Sequence, residues 1–214
     1  VNRFWWIEPA WAGQTCVIIG SGPSVGASQV IRTRIAGLRT IVVNDNYKLA
    51  PWADLLYFCD PIWWSWHRDA LKGWEDRIVR LESPEHDGGD PRVRVLKSYG
   101  EKGLVEARDG VMTGRGSGYQ ALHMAVHLGV SRILLLGFDC KRGKNGQKHW
   151  FGEHPNRSEQ PVAEWARLFD EVAPQLEQRG IEVINCSPDT ALTCFKREPL
   201  ESLLPDPAAA ALPA

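Results

Sequence analysis

The chain has 214 residues, of which 43% are hydrophobic and 24% charged. That is the size and balance of one large domain with a substantial core, and it excludes a mainly disordered chain. Lys and Arg total 25 against 26 Asp and Glu, a net charge of −1, so duplex nucleic acid held by bulk electrostatics is not favoured as a partner.

Short apolar runs alternate with helix-length segments. The runs are CVIIG (16–20), TIVVN (40–44), DLLYFCD (54–60), RIVRLE (77–82), RILLLG (132–137) and IEVINC (181–186). They are apolar on both faces, as strands covered by helices on two sides should be. Helices are expected at about 24–36, 61–73, 116–129 and 159–179. Strand, helix and strand in repetition predict an α/β domain over 1–204, with a Rossmann-like, doubly wound, mostly parallel sheet. Residues 205–214 (PDPAAAALPA) read as a tail outside the fold.

Ligands of such sheets bind beyond the carboxyl ends of the strands, so the residues at those exits are the candidates. They are GSGPSVG (20–26), Asn44-Asp45-Asn46, Asp60-Pro61, Phe138-Asp139 and Ser187-Pro188-Asp189-Thr190, joined by Gly116-Ser117-Gly118 at the third helix start. Turn formers and caps account for some of these residues in any protein of this class. In the glycine-rich turn, Pro23 suits a first helical position and Ser24 can satisfy free amides, giving a helix start able to face a phosphate. The spacing falls short of a dinucleotide fingerprint, because Val25 stands where the third glycine belongs and Asn44 where an acid is usual. Residues 83–116, rich in Gly, Pro and charge with one strand candidate at 93–97, are expected to form an irregular lid or loop insertion.

Two histidines, His149 and His154, occupy HWFGEHP, where the plain reading packs His149-Trp150 against the sheet edge and ends a loop at His154-Pro155. Their H-x-x-x-x-H spacing does not suit a helical zinc pair, and no metal site is expected. Lys141, Arg142, Lys144 and Lys148 form a basic loop that is either solvated charge or a neutraliser of a departing phosphate. His123 and His127 read as packing residues. Trp63, Trp64, Trp66 and Trp74 read as core first and as an acceptor platform second, whereas Trp5, Trp6 and Trp11 could cover a sheet edge or build a homo-oligomer contact. Five scattered cysteines without C-x-x-C spacing fit a reduced, cytoplasmic chain. No apolar run approaches a membrane span, and VNRFWWIEPAWAG lacks a signal-peptide core, so no membrane contact is expected.

In order, the segments GSGPSV, VND, YFCDP, RGSGYQALHMAVHLGVSRILLLGFD, HWFGEHP and IEVINCSPDTAL resemble the family 42 sialyltransferases. They also resemble the wider group that holds motility-accessory-factor transferases and archaeal 6-hydroxymethylpterin diphosphokinases, and they look most like its phage members. The likeness covers about residues 15–195. It implies a metal-independent transferase with no required cofactor, moving a glycosyl or similar group from a nucleotide-activated donor to a small-molecule or saccharide hydroxyl. The donor would be a cytidine-monophosphate sugar or another nucleotide sugar. By the same likeness Gly20, Gly22, Pro23, Ser24, Asn44, Ser117, Gly118 and Gly137 would bind the donor. Ser21 and Asp60 stand where the family has asparagines. The family's phosphate-stabilising tyrosines are replaced by the basic loop from Lys141 to Lys148, and its catalytic histidine falls on Glu153 or His154. The likeness thus makes His154 the candidate general base and His149 its rival, with Glu153 or Asp139 able to orient His154. Two other readings stay open: a diphosphokinase moving pyrophosphate from ATP to a hydroxymethyl group, and a non-catalytic nucleotide-binding phage protein.

Overall fold

Strands form where the apolar runs stand, because β-branched and leucine-rich segments can be buried on both faces. The computed structural model describes residues 3–83, 89–154 and 162–204. Within them the chain runs β1 (Thr15–Ile19), α1 (Ala27–Ile35), β2 (Arg39–Val43), a 3₁₀ turn (Asn44–Lys48), β3 (Leu55–Phe58), α2 (Pro61–His67), β4 (Ile78–Leu81) and β5 (Val93–Ser98). It continues through β6 (Gly110–Val111), α3 (Ser117–His127), β7 (Arg132–Leu136), α4 (Val162–Gln178), β8 (Glu182–Asn185), β9 (Lys196–Arg197) and α5 (Leu200–Leu203). The expected tail at 205–214 lies outside the described residues.

The nine described strands make one sheet in the order β6-β5-β4-β3-β2-β1-β7-β8-β9. Every pairing is parallel. Alternate strand residues feed two cores. Ile18, Ile41, Tyr57 and Leu135 pack under α3 and α4, while Val17, Ile19, Phe58 and Leu134 pack under α1, α2 and α5. The fold is therefore α/β, Rossmann-like and doubly wound. No helix among the described residues is long and apolar enough to cross a membrane.

Two expectations change. The stretch expected as an irregular lid instead extends the sheet, since β5 pairs with β4 and β6 pairs with β5. β5 stands where the strand candidate at 93–97 was expected, whereas β6, two residues long, carries no readable pattern. The helix expected at 61–73 stops at His67, and Trp74, beyond it, still shares one core with Trp63, both contacting Tyr47 edge-on. His123 and His127 are buried packing residues, as their apolar neighbours suggested. His123 Nδ1 accepts the Met112 amide at 3.0 Å, and His127 Nε2 lies 3.1 Å from the Gly110 carbonyl. They hold β6 against α3. Burial, then the neighbouring His127, lowers the pKa of His123 to about 3.

Candidate active site at the switch point of the sheet

The chain leaves β1 toward β2 and returns to β1's other side only at β7, so strand order reverses between β1 and β7. That is where the exits of neighbouring strands diverge and leave a crevice. Here the two exits interlock. Gly20 and Gly22 amides donate to the Leu136 and Gly137 carbonyls at 2.7 and 2.9 Å. A Cβ on Gly22 would stand 2.5 Å from the Gly137 carbonyl oxygen and 2.6 Å from Asp139 Oδ1. These glycines are thus required by backbone contact across the crevice, independently of any ligand.

Asp139 completes the clasp. Its Oδ2 accepts the Ser24 amide at 2.8 Å and its Oδ1 the Ser24 hydroxyl at 2.5 Å. Burial raises the Asp139 pKa, and the two bonds from Ser24 oppose that rise. Asp139 does not line the cavity, so it positions the turn rather than orienting His154. The expectation for Pro23 is corrected as well. α1 begins at Ala27 with Gly26 as its N-cap, and Ser24 serves Asp139 instead of capping the helix. Neither Pro23 nor Ser24 lines the cavity.

The cavity at this point has a volume of about 260 Å³. Gly20, Ser21, Gly22 and Gly137 form its floor on the β1–β7 side, and Asn44, Asp60 and Cys59 close it from β2 and β3. Opposite stand Ser117 and Gly118, with Lys141, Lys148, His149 and His154 arriving on the loop after β7. Sequence reasoning missed Arg115, Cys59, Cys140, Trp165 and Phe169, which also line it. Arg115 and Cys140 are left-handed, at φ 53° and 48°, as is Asn44 at 51°. Among the described residues only one other non-glycine residue, Asp76, is left-handed. Backbone strain is therefore concentrated at the cavity, as it is at many functional sites.

Several groups define what the cavity can do. The α3 helix opens at Gly116 with no side-chain cap and no acidic residue in its first turn, so its amide dipoles face the cavity. Ser117 Oγ donates to Cys59 Sγ at 3.0 Å rather than pointing at a ligand. Gly118 is needed because a Cβ there would meet the Phe138 ring at 2.9 Å. Asn44 Oδ1 is closed off from solvent and has no hydrogen-bond partner. Such an uncompensated acceptor costs about 1–3 kcal/mol and marks a place for an incoming donor. Asp60 Oδ1 caps α2 by accepting the Ile62 amide at 2.9 Å.

The histidine segment is anchored by a residue that sequence reading placed at the β2 exit without giving it a role. Asn46, fully buried, shares the two N–H bonds of Nδ2 among three acceptors, the Ile19 and Val43 carbonyls and Ser21 Oγ, and its Oδ1 accepts Trp150 Nε1–H at 2.9 Å. The Trp150 amide donates to the Ser21 carbonyl at 3.1 Å. Trp150 thus pins the loop to the glycine-rich turn and leaves His149 and His154 in the cavity, ring centroids 4.9 Å apart. Burial, then proximity to His154, lowers the pKa of His149 to about 4, so it is neutral near pH 7 and a weak base.

The basic loop is mostly committed. Lys141 pairs with Asp189, and Arg142 bonds the Gly146 carbonyl at 2.8 Å and lies 3.6 Å from Glu153. Of its four cations, Lys141 and Lys148 line the cavity. All five cysteines are free, and burial raises the Cys59 and Cys140 thiols. Among the described residues no cluster of three or more His, Cys, Asp or Glu could hold a metal ion. No family model matches the chain, and no curated protein matches it either.

Proposed function

We propose that the cavity binds a nucleotide-activated donor and transfers its glycosyl, or a similar, group to a hydroxyl acceptor without a metal. The observation that carries this reading is the pairing of opposite chemistries across one cavity. The orphaned Asn44 Oδ1 asks for a hydroxyl or amino donor, and the α3 start, which has no side-chain cap, suits an anion, with Lys148 and the Asp189-paired Lys141 also on the lining. A ribose or base joined to a phosphate supplies both. The resemblance to the family 42 sialyltransferases points the same way.

In the transfer, His154 takes the proton of the acceptor hydroxyl as that oxygen bonds to the donor's transferred carbon. The bond from that carbon to the phosphate oxygen breaks, and its electron pair leaves with the nucleotide. The cations and α3 amides face the charge that develops there. His149, already neutral, packs beside His154 and limits its motion.

Calorimetry against a panel of nucleotides and nucleotide sugars tests the first half. Binding is expected, and Asn44→Gly should weaken it about tenfold, because glycine keeps the left-handed backbone while removing the amide. No binding to any member refutes the proposal. His154→Ala should retain donor affinity and lose transfer by about 10²-fold or more. Magnesium-dependent release of AMP from ATP would instead support the diphosphokinase, and affinity without turnover on any acceptor would support a binding module.

A further inference from the structure

Of the tryptophans after β3, Trp63 and Trp64 are buried, while Trp66 is 37% exposed. Ile62, one helical turn earlier on α2, is 39% exposed. The two lie four residues apart and share one face. That face is not remote from the cavity. The Trp66 ring lies 6.4 Å from the His154 ring at a tilt of 31°, and His154 lines the cavity. Beyond His154 the rings of Phe151 and His149 follow at 5.0 and 4.9 Å. An apolar and aromatic ledge therefore runs from the solvent-facing side of α2 to the candidate base.

We infer that Trp66 and Ile62, abutting His154, form the acceptor subsite and take the C–H face of a neutral sugar ring. This deepens the transferase reading and rests on it. Three features favour that occupant. A pyranose presents weakly positive C–H groups on one face, which suit the negative face of an indole. Carboxylates flank the ledge, with Asp60 capping the helix that carries it and Glu153 preceding His154, both at the cavity wall. Ionised carboxylates are acceptors only, with sites to spare beyond one cap bond, and they suit a ring edged with hydroxyl donors. The Asp60 carboxylate, bonded to an amide rather than to a cation, disfavours an anionic sugar on the ledge, while Glu153 lies 3.6 Å from Arg142. A ring lying on Trp66 also carries its hydroxyls toward the His154 imidazole, where the base is required.

The test separates this subsite from the donor site. Trp66→Ala and Trp66→Phe, exposed changes that leave the core intact, are compared with the unaltered protein by NMR saturation transfer. The probes are methyl β-galactoside, methyl β-glucoside and lactose, with glucuronic acid as the anionic comparator, each with and without saturating nucleotide. At least one neutral probe should bind, lose affinity at least tenfold in Trp66→Ala and recover partly in Trp66→Phe. Nucleotide affinity should change less than twofold, and glucuronic acid should bind more weakly than the neutral probes. Saccharide affinity indifferent to Trp66, no saccharide binding in either state, or preference for glucuronic acid overturns the subsite. Nucleotide binding with no saccharide response refutes the ledge and leaves the donor reading standing. Saccharide binding without nucleotide binding does the reverse.

Discussion

Asn46→Asp is a nearly isosteric change that tests how the site is assembled. The side chain keeps its volume and an oxygen for Trp150 Nε1, but the end that donates becomes an oxygen. It then faces the Ile19 carbonyl at 3.0 Å, the Val43 carbonyl at 2.6 Å and Ser21 Oγ at 3.0 Å. Depriving a buried carbonyl of its donor costs about 1–3 kcal/mol, and two carbonyls are affected, so a loss of about 2–6 kcal/mol is expected near pH 7. For a domain of this size that lowers Tm by roughly 5–15 °C. The new carboxyl is buried against oxygens, so its folded pKa must rise above the unfolded value near 3.9. A raised carboxyl pKa means stability that is present at low pH and lost as pH rises through the folded pKa. The deficit of Asn46→Asp should therefore shrink toward pH 4.5 as the protonated carboxyl regains one donor, whereas that of Asn46→Ala should stay constant. Urea unfolding of both variants at pH 4.5 and 7.5 measures this. An Asn46→Asp protein within 1 kcal/mol of the parent at pH 7.5, or one with a pH-independent deficit, refutes the proposed hub.

Gly22→Ala should destabilise by about 2 kcal/mol or more, because its Cβ overlaps the Gly137 carbonyl at 2.5 Å. Gly26→Ala, whose Cβ meets nothing nearer than Ser28 Oγ at 3.8 Å, should change stability by less than about 1 kcal/mol. Equal melting temperatures for the two variants would contradict the interlock. The depressed pKa of His123, about 3 against 6.5, works in the opposite sense to a raised carboxyl. Its contribution is fully present above pH 6.5 and lost as pH falls toward 3, on the order of 5 kcal/mol at the acid limit. Stability measured from pH 7 to 4 should fall more steeply for the parent than for His123→Gln, and parallel curves would assign the acid loss elsewhere.

The elements and their exits were legible from the sequence because strand burial and turn chemistry are written in neighbouring residues. CVIIG and RILLLG announce strands through runs of apolar side chains, and a parallel sheet places all carboxyl-end turns on one edge. For that reason Gly20, Asn44, Asp60, Ser117 and Gly118 could be put on one sheet edge from the sequence, and the structure gathers them with Lys141, His149 and His154 around one cavity. The short strands β6 and β9, two residues each, carry no such pattern.

Partnerships across the chain were decided by tertiary structure alone. Ser24 meets Asp139 across 115 positions, and Asn46 meets Trp150 across 104, only because β7 lies beside β1. Strand order depends on loop closure and crossover geometry summed over the whole chain, and no local window contains it. The sequence by itself thus determined an ordinary-sized α/β domain of nearly balanced charge with its polar turns on one sheet edge. The tertiary structure decided that Asp139 is a clasp, that Asn46 is the hub, and that among the tryptophans after β3, Trp63 and Trp64 serve the core while Trp66 stands exposed beside His154. The physical reason is that composition and periodicity report how much surface a residue type buries. Which atoms that surface meets is set by the order in which the strands close.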